Sequence, residues 1–200
     1  VVHLSTKTKK FRLQNAGHLP ISFALDKKAA EACGFTLDPE KVVRLPESET
    51  LDFEIVFDAN EEIPFGPVEV ALPLSMKNGP KVVLVLRANV TVPDVVLSHH
   101  HLAFGDVLVG RSNITYVQLH NPSPVPAEWA FKKPLGSTKD LANFITTPQS
   151  GILQPNERIN VSVEFEPKEM RNYAIRIPIK VVNNTHSKET LRLDGMGQEL

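Results

Sequence analysis

Residues 11–25 of the chain, FRLQNAGHLPISFAL, decide the fold because their pattern occurs twice. Residues 117–131, VQLHNPSPVPAEWAF, align with them without a gap at an offset of 106 residues. Four large apolar positions match in type, and three positions are identical: Asn15 and Asn121, Pro20 and Pro126, Ala24 and Ala130. An ordered match of this length indicates an internal repeat.

The repeat continues to the end of the chain. Phe35 matches Phe144 at an offset of 109 residues, and Leu86 matches Leu193 at an offset of 107. A drift of only three residues in the offset predicts a duplicated domain with small loop insertions. We therefore predict two domains, residues 1–92 and 93–200, each of a common domain size of about 100 residues.

Within each copy the apolar residues recur with a period of two, which is typical of half-buried strands. One such run joins Ile159, Val161, Val163 and Phe165, and its counterpart joins Leu51, Phe53, Ile55 and Phe57. The sixteen prolines fall between apolar runs, as turn residues do in all-β proteins. The pattern predicts an all-β fold of two tandem immunoglobulin-like β-sandwiches with about seven strands each.

Two further signals refine this prediction. Residues 26–32, DKKAAEA, predict a short helical turn with an Asp cap in the first domain, and residues 137–143 are a weaker counterpart. Pro73 and Pro178 lie inside strand runs. Because proline cannot donate to a ladder, we expect an edge strand or a bulge there.

The two copies differ at their start. Val95–Leu97 and Leu102–Gly105 precede Val117, and we expect them to form the first strand and its crossover between the sheets. Only ten residues precede Phe11, the counterpart of Val117. The first domain is therefore predicted to lack its first strand, with an N-terminal edge that is weakly protected or filled by strand addition.

Composition excludes several classes of protein. The net charge is −1, with 22 Lys and Arg against 23 Asp and Glu, which gives no long-range attraction to nucleic acid or anionic lipid. No apolar run approaches the length of a membrane span, and no signal-peptide pattern is present. Cys33 is the only cysteine, so an internal disulfide and a Cys-based zinc site are excluded.

Few residues suggest chemistry. His99–His101 form the only His cluster, which we interpret as a solvated loop because neighbouring strand residues point to opposite faces. Cys33 follows a helical turn, where the helix dipole does not favour a thiolate. Gly105 and Gly110 are expected to flank a strand, and Glu61, Glu62, Glu164 and Glu166 to be surface carboxylates. We predict no catalytic, cofactor-binding or metal-binding residue.

Three further features have both a structural and a functional interpretation. Lys7, Lys9, Lys10 and Arg12 are interpreted as a small basic patch on one strand face, solvated or facing the acidic surface of tubulin. Trp129 aligns with Phe23 and is expected to fill the second core rather than to anchor a partner. Four Asn-x-Ser/Thr sequons occur, at Asn89, Asn113, Asn160 and Asn183.

The repeat also resembles a known family. Residues 102–110, LAFGDVLVG, are followed by residues 125–129, VPAEW, and by the turn GILQP at 151–155, while FTLDP at 35–39 stands in for that turn in the first copy. This pattern resembles the ASH class of immunoglobulin-like domains, related to the major sperm protein and PapD-like folds. The resemblance covers nearly the whole chain.

The resemblance implies a non-catalytic structural module of a large scaffold protein in the axonemal central pair of motile cilia, required for ciliary movement. It implies localisation to the cytoplasm and cilium, with other axonemal proteins, neighbouring domains of the same chain and tubulin as candidate partners, and no small-molecule substrate. Two alternatives stay open: a secreted or periplasmic adhesive or chaperone-like sandwich, which the sequons favour, and a peptide-binding adaptor of the major sperm protein type.

Overall fold

The structure, a computed structural model, describes residues 1–76 and 79–199. The chain divides into two compact units, Val1–Thr91 and Val92–Leu200, which we call unit 1 and unit 2. Strands dominate both units, so the predicted all-β, immunoglobulin-like fold is confirmed. The side chains that form the core make one cluster within each unit.

Unit 1 contains seven strands and one helix within the described residues: β1 (Thr6–Gln14), β2 (Ile21–Ala24), α1 (Lys27–Ala32), β3 (Phe35–Asp38), β4 (Lys41–Leu45), β5 (Thr50–Asp58), β6 (Gly66–Leu74) and β7 (Val82–Val90). In one sheet β5 lies between β1 and β3, while β2 pairs with β4 and β6 pairs with β7. Phe23, Phe53, Leu72 and Leu86 come from four of these strands and meet in one core. Their period-two spacing puts one face of each strand inward.

Unit 2 contains counterparts of all these elements and three further strands: β8 (Val96–Leu97), β9 (His101–Leu108), β10 (Asn113–His120), β11 (Ala127–Phe131), β12 (Leu135–Gly136), α2 (Thr138–Leu141), β13 (Phe144–Thr147), β14 (Ser150–Leu153), β15 (Arg158–Phe165), β16 (Asn172–Val181) and β17 (Thr190–Gln198). Ten strands exceed the predicted seven, because β8, β9 and the two-residue β12 are additional within the described part.

The beginning of unit 2 crosses between its two sheets. β8 pairs with β10 in the sheet β13–β15–β10–β8, and β9 then runs parallel to β17 at the edge of the sheet β14–β11–β16–β17–β9. The prediction that residues 95–105 supply the first strand and its crossover is confirmed. Leu97 and Phe104 enter the core from this segment.

Both helical turns form where the sequence predicts them. The Asp26 side chain accepts a hydrogen bond from the backbone N–H of Ala29 at 3.1 Å, which caps α1. The chain leaves α1 through Gly34 at φ +84°, where a Cβ would lie 2.8 Å from the Asp58 carbonyl oxygen. Only glycine fits both the conformation and the close approach.

The expectation for Pro178 is wrong, since β16 is an interior strand rather than an edge. The ladder to β17 ends at Pro178, and the ladder to β11 begins at Ile179. Pro178 therefore needs no N–H for either ladder, while its carbonyl accepts from Lys132 N–H at 2.7 Å. In unit 1, β6 with Pro73 pairs only with β7 within the described ranges.

Candidate interaction surfaces

Two buried asparagines hold equivalent turns in the two units. The Asn121 side-chain N–H₂ donates to the carbonyls of Val125, Leu153 and Gln154 at 2.8, 3.0 and 3.2 Å. The Asn15 N–H₂ donates in the same way to Leu19, Leu45 and Pro46 at 2.8, 3.0 and 3.1 Å.

Asn15 directly follows β1 and Asn121 directly follows β10, and each joins the end of that strand to two loops. Asn15 is 3% exposed and Asn121 is fully buried, so the carbonyls they satisfy have little access to water. Sequence reasoning found the identity of the two residues but missed this role. The available signal was an identical polar residue in an otherwise apolar match.

Trp129 lies in the core of unit 2, as predicted. It is 1% exposed, and its ring packs edge-on against Phe131 at a centroid distance of 5.3 Å. Its counterpart Phe23 is 4% exposed in unit 1. Trp129 is therefore not a surface anchor.

The three histidines do not converge. His101 begins β9 and contacts the Asp194 carboxylate at 2.6 Å, whereas His100 contacts the Glu189 carboxylate at 2.8 Å. His99 contacts the neighbouring Ser98 hydroxyl at 3.0 Å. The interpretation of residues 99–101 as a solvated loop is wrong for His101, because His101 pairs with Arg192 of β17 and therefore lies in a sheet.

The other candidates for chemistry are structural. Cys33 caps the end of α1 and is half-buried. Glu166 forms an ion pair with Lys168 on the surface. Gly105 lies inside β9 at φ +63°, close to the register shift between Asp194 and Met196, so the expectation that it precedes a strand is wrong. In residues 1–76 and 79–199, no group of three or more His, Cys, Asp or Glu side chains is arranged to hold a metal ion.

The predicted basic patch is divided between the two faces of β1, and placing its four residues on one face was wrong. Lys10 and Arg12 pair with Glu54 and Asp52 on β5, at 3.4 and 2.7 Å. Lys7 and Lys9 alternate with them and share the face of Phe11. The hydrogen bond from Arg12 lowers the pKa of Asp52, so these two charges are matched locally.

The sequons lie in or beside strands. Asn89 is an exposed residue of β7, Asn113 begins β10, and Asn160 is exposed on β15. Asn183 occupies an exposed turn at φ +61°.

An apolar patch lies on the outer face of the first sheet of unit 2. Ile114 and Ile145 flank Glu164 in one row across β10, β15 and β13, and Tyr116 lies in the next row. Ile114, Tyr116 and Ile145 are 50%, 63% and 52% exposed. We call these three side chains the outer patch. Apolar and aromatic residues grouped on a surface are typical of protein contacts.

Four apolar residues on β1 and β7 of unit 1 pack against its core without being fully buried. Phe11 and Leu13 on β1, and Leu84 and Ala88 on β7, face the core but are only half-buried. Their counterparts Val117, Leu119 and Leu191 in unit 2 are 1%, 0% and 0% exposed. We call the four residues of unit 1 the open strip.

Comparisons with known proteins agree with this architecture. The human hydrocephalus-inducing protein homolog (Hydin) is 32% identical over 213 residues, covering 96% of this chain and 4% of that protein. A family model described as the fourth Ig-like domain of CFAP65 matches residues 101–198. The chain is therefore Hydin-like in sequence, with an Ig-like domain at residues 101–198. The resemblance noted from the sequence is confirmed.

Other relatives cover smaller shares. Mouse cilia- and flagella-associated protein 65 is 29% identical over 109 residues, covering 50% of the Hydin-like chain and 6% of that protein. The ASH/PapD-like domain 7 of human CEP192 is similar at 23% identity and a TM-score of 0.45, covering 53% of this chain and 86% of that one. Within the described ranges, no helix is long and apolar enough to cross a membrane.

Proposed function

We propose that this chain is a non-catalytic protein-interaction module of a large ciliary scaffold protein, placed in the axonemal central pair and needed for ciliary movement. The observation that carries the proposal is the 213-residue match to Hydin, which spans both units rather than one. The chain amounts to 4% of that relative's length, as one segment of a long scaffold would. A second relative carries cilia and flagella in its name.

The surfaces of unit 2 suit this role. A β-sandwich offers outer sheet faces and strand edges to partners, and the outer patch exposes two isoleucines and a tyrosine on one such face. Glu164 lies between Ile114 and Ile145 and adds one charge to the patch. We propose that axonemal proteins, with tubulin as one candidate, dock on this face.

The experiment is co-sedimentation of the purified, tagged chain with isolated axonemes. The wild-type chain should sediment with axonemes in a saturable way, and the double variant Ile114→Asp, Tyr116→Asp should lose most of this binding. The matched control is Ile152→Asp, because Ile152 is 60% exposed on a strand of the other sheet. Equal binding by all three proteins, or none by the wild type, would refute the docking face.

A secreted adhesive or chaperone-like sandwich is the second candidate, favoured by the exposed sequons at Asn89 and Asn183. Expression in a secreting cell followed by mass measurement tests it, since glycan on either residue supports this alternative. The major-sperm-protein-type adaptor loses its main support, because Lys7 and Lys9 do not share a face with Lys10 and Arg12.

A further inference from the structure

Two arginines face each other on the outer face of the sheet β14–β11–β16–β17–β9 of unit 2. Arg176 of β16 is the register partner of Arg192 of β17. Both side chains are exposed, so they point away from the core. Residues directly opposite each other in an antiparallel pair lie on the same face, where two like charges destabilise the sheet.

Neither arginine has an acidic partner within the described residues. In that part of the chain Arg171 makes all the ion pairs formed by arginines of unit 2, with Asp140 and Glu169. Asp194 lies on the same face of β17 as the second arginine, but its carboxylate contacts His101 Nε2 at 2.6 Å. Two neighbouring positive charges are therefore left without a compensating carboxylate.

Unit 1 shows that the shared strand plan does not require this arrangement. Its cross-strand charges are matched with opposite charges, namely Lys10 with Glu54, Arg12 with Asp52, and Arg87 with Glu69. At offsets of 105 and 107 residues, Ala71 and Val85 are the equivalents of the two arginines, and they pair with each other in the same register. The two arginines are thus a feature of unit 2 and not of the fold.

The row that contains the arginines continues on both sides. Leu135 of β12 is the register partner of the first arginine, and His101 of β9 is the register partner of the second. Leu135 is 59% exposed, and together with Gly136 and Ala174 it lines a surface concavity to which both arginines contribute. A ligand in this concavity would contact two guanidinium groups and an apolar side chain at once.

We propose that Arg176 and Arg192 form a binding site for a phosphoryl group, carried by a phosphorylated serine or threonine of a partner polypeptide. The planar guanidinium group matches phosphate oxygens with two parallel N–H donors. A phosphoryl group carries close to two negative charges and three acceptor oxygens, so one group compensates both arginines, whereas one carboxylate compensates a single arginine.

The surroundings favour a polypeptide as the carrier of this group. Unit 2 has as many Asp and Glu as Lys and Arg, so it has no wide positive field that would attract a membrane or nucleic acid. Leu135 offers apolar contact to a side chain next to the phosphorylated residue. The choice of a polypeptide also rests on the proposed role of the chain as a protein-interaction module.

Calorimetric titration of the full chain with the peptide acetyl-Ala-Leu-phosphoserine-Leu-Ala-amide tests the proposal. We expect saturable binding that the double variant Arg176→Gln, Arg192→Gln weakens at least about tenfold, because charge-assisted hydrogen bonds from both side chains are lost. Since both side chains are exposed, the variant should keep the unfolding midpoint of the wild type. Arg158→Gln is the matched control, because Arg158 is an exposed arginine of the other sheet.

Four results would overturn the proposal. Equal binding by the wild type and the double variant would exclude the two arginines. Equal binding of the peptide with unmodified serine, or with glutamate in its place, would exclude the phosphoryl group as the selected feature. Inorganic phosphate that binds as tightly as the peptide would remove the polypeptide carrier. Tighter binding to phosphatidic acid vesicles would make a membrane the ligand.

The failure of this proposal is distinguishable from the failure of the proposed function. The outer patch lies on the other sheet of unit 2, so its variants test axoneme binding without changing either arginine. Axoneme binding that is lost with Ile114→Asp, Tyr116→Asp but kept with the arginine variant would support the docking face alone.

Discussion

The two units share one strand plan, yet they differ in how fully their cores are covered. Val117, Leu119, Leu191 and Leu193 of unit 2 are all at most 1% exposed. In unit 1 the equivalent positions Phe11, Leu13 and Leu84 are half-buried, and only Leu86 is buried. The residue types at the matched positions do not explain this difference in burial, since both sets of side chains are large and apolar.

In unit 2, β8 and β9 complete the sandwich. β8 pairs with β10 in one sheet, and β9 pairs with β17 in the other. The segment that contains β8 and β9 therefore adds a strand to each of the two sheets that enclose the core of unit 2. β17 also lies closer to its core than its counterpart β7 requires. A Cβ on Gly195 would lie 2.4 Å from the Phe165 ring, whereas the equivalent residue in unit 1 is Ala88.

The strongest test of two separate cores is Trp129→Ala. Loss of this buried ring should destabilise unit 2 by about 3–5 kcal/mol, because it leaves a large cavity. Hydrogen exchange followed by mass spectrometry should show faster exchange in unit 2, with residues 1–91 unchanged. Phe23→Ala is the matched control and should act on unit 1 alone. Unaltered exchange in unit 2 would contradict the placement of Trp129.

A second pair of variants measures the coverage itself. Leu191→Ala should cost about 2–5 kcal/mol, because Leu191 is fully buried. Leu84→Ala should cost about 1 kcal/mol, since a half-buried side chain has less apolar area to lose. Denaturant unfolding of both variants, followed by hydrogen exchange in each unit, measures the ratio of the two free-energy costs. Similar costs would mean that the open strip is covered in solution.

The buried asparagines provide a third comparison. Asn121→Ala should destabilise unit 2 by about 1–3 kcal/mol, because three carbonyls lose their donor. Asn15→Ala should cost unit 1 somewhat less, since Asn121 also accepts a hydrogen bond from the Ser123 hydroxyl at 2.6 Å. Thermal unfolding of each variant measures the effect, and the exposed Asn113→Ala is the control. If the control costs as much as Asn121→Ala, the proposed role is wrong.

The smallest expected effect concerns two aspartates with opposite pKa shifts. Burial, and to a lesser degree nearby Glu189, raises the pKa of Asp94 in unit 2 despite the Val95 N–H bond, whereas the Arg12 hydrogen bond lowers the pKa of Asp52 in unit 1. Charged Asp94 therefore costs stability as pH rises from about 4 through its raised pKa. Charged Asp52 contributes stability that is lost as pH falls through its lowered pKa.

Asp94→Asn should thus stabilise the chain slightly at neutral pH, and Asp52→Asn should destabilise it slightly. Both differences should shrink as pH falls, because protonation makes the native aspartates neutral as well. Unfolding midpoints between pH 3 and pH 7 provide the measurement. Two differences of the same sign would refute the assignment.

Much of the fold could be predicted from the sequence because its signals are local. The period-two runs correctly located β5 and β15, and the Asp26 cap located α1. The alignment of Trp129 with Phe23 correctly placed it in the core. These predictions succeed because side-chain alternation and capping depend on residues only a few positions apart.

The tertiary structure decided which strands are neighbours, and the surfaces depend on that. Pro178 is tolerated in an interior strand only because two ladders stop beside it. The outer patch joins β10 and β13, which are distant in sequence and become close because both pair with β15. Asn121 reaches carbonyls about thirty residues away. Alternation predicts the face of each side chain, whereas strand order and register depend on pairing between distant segments.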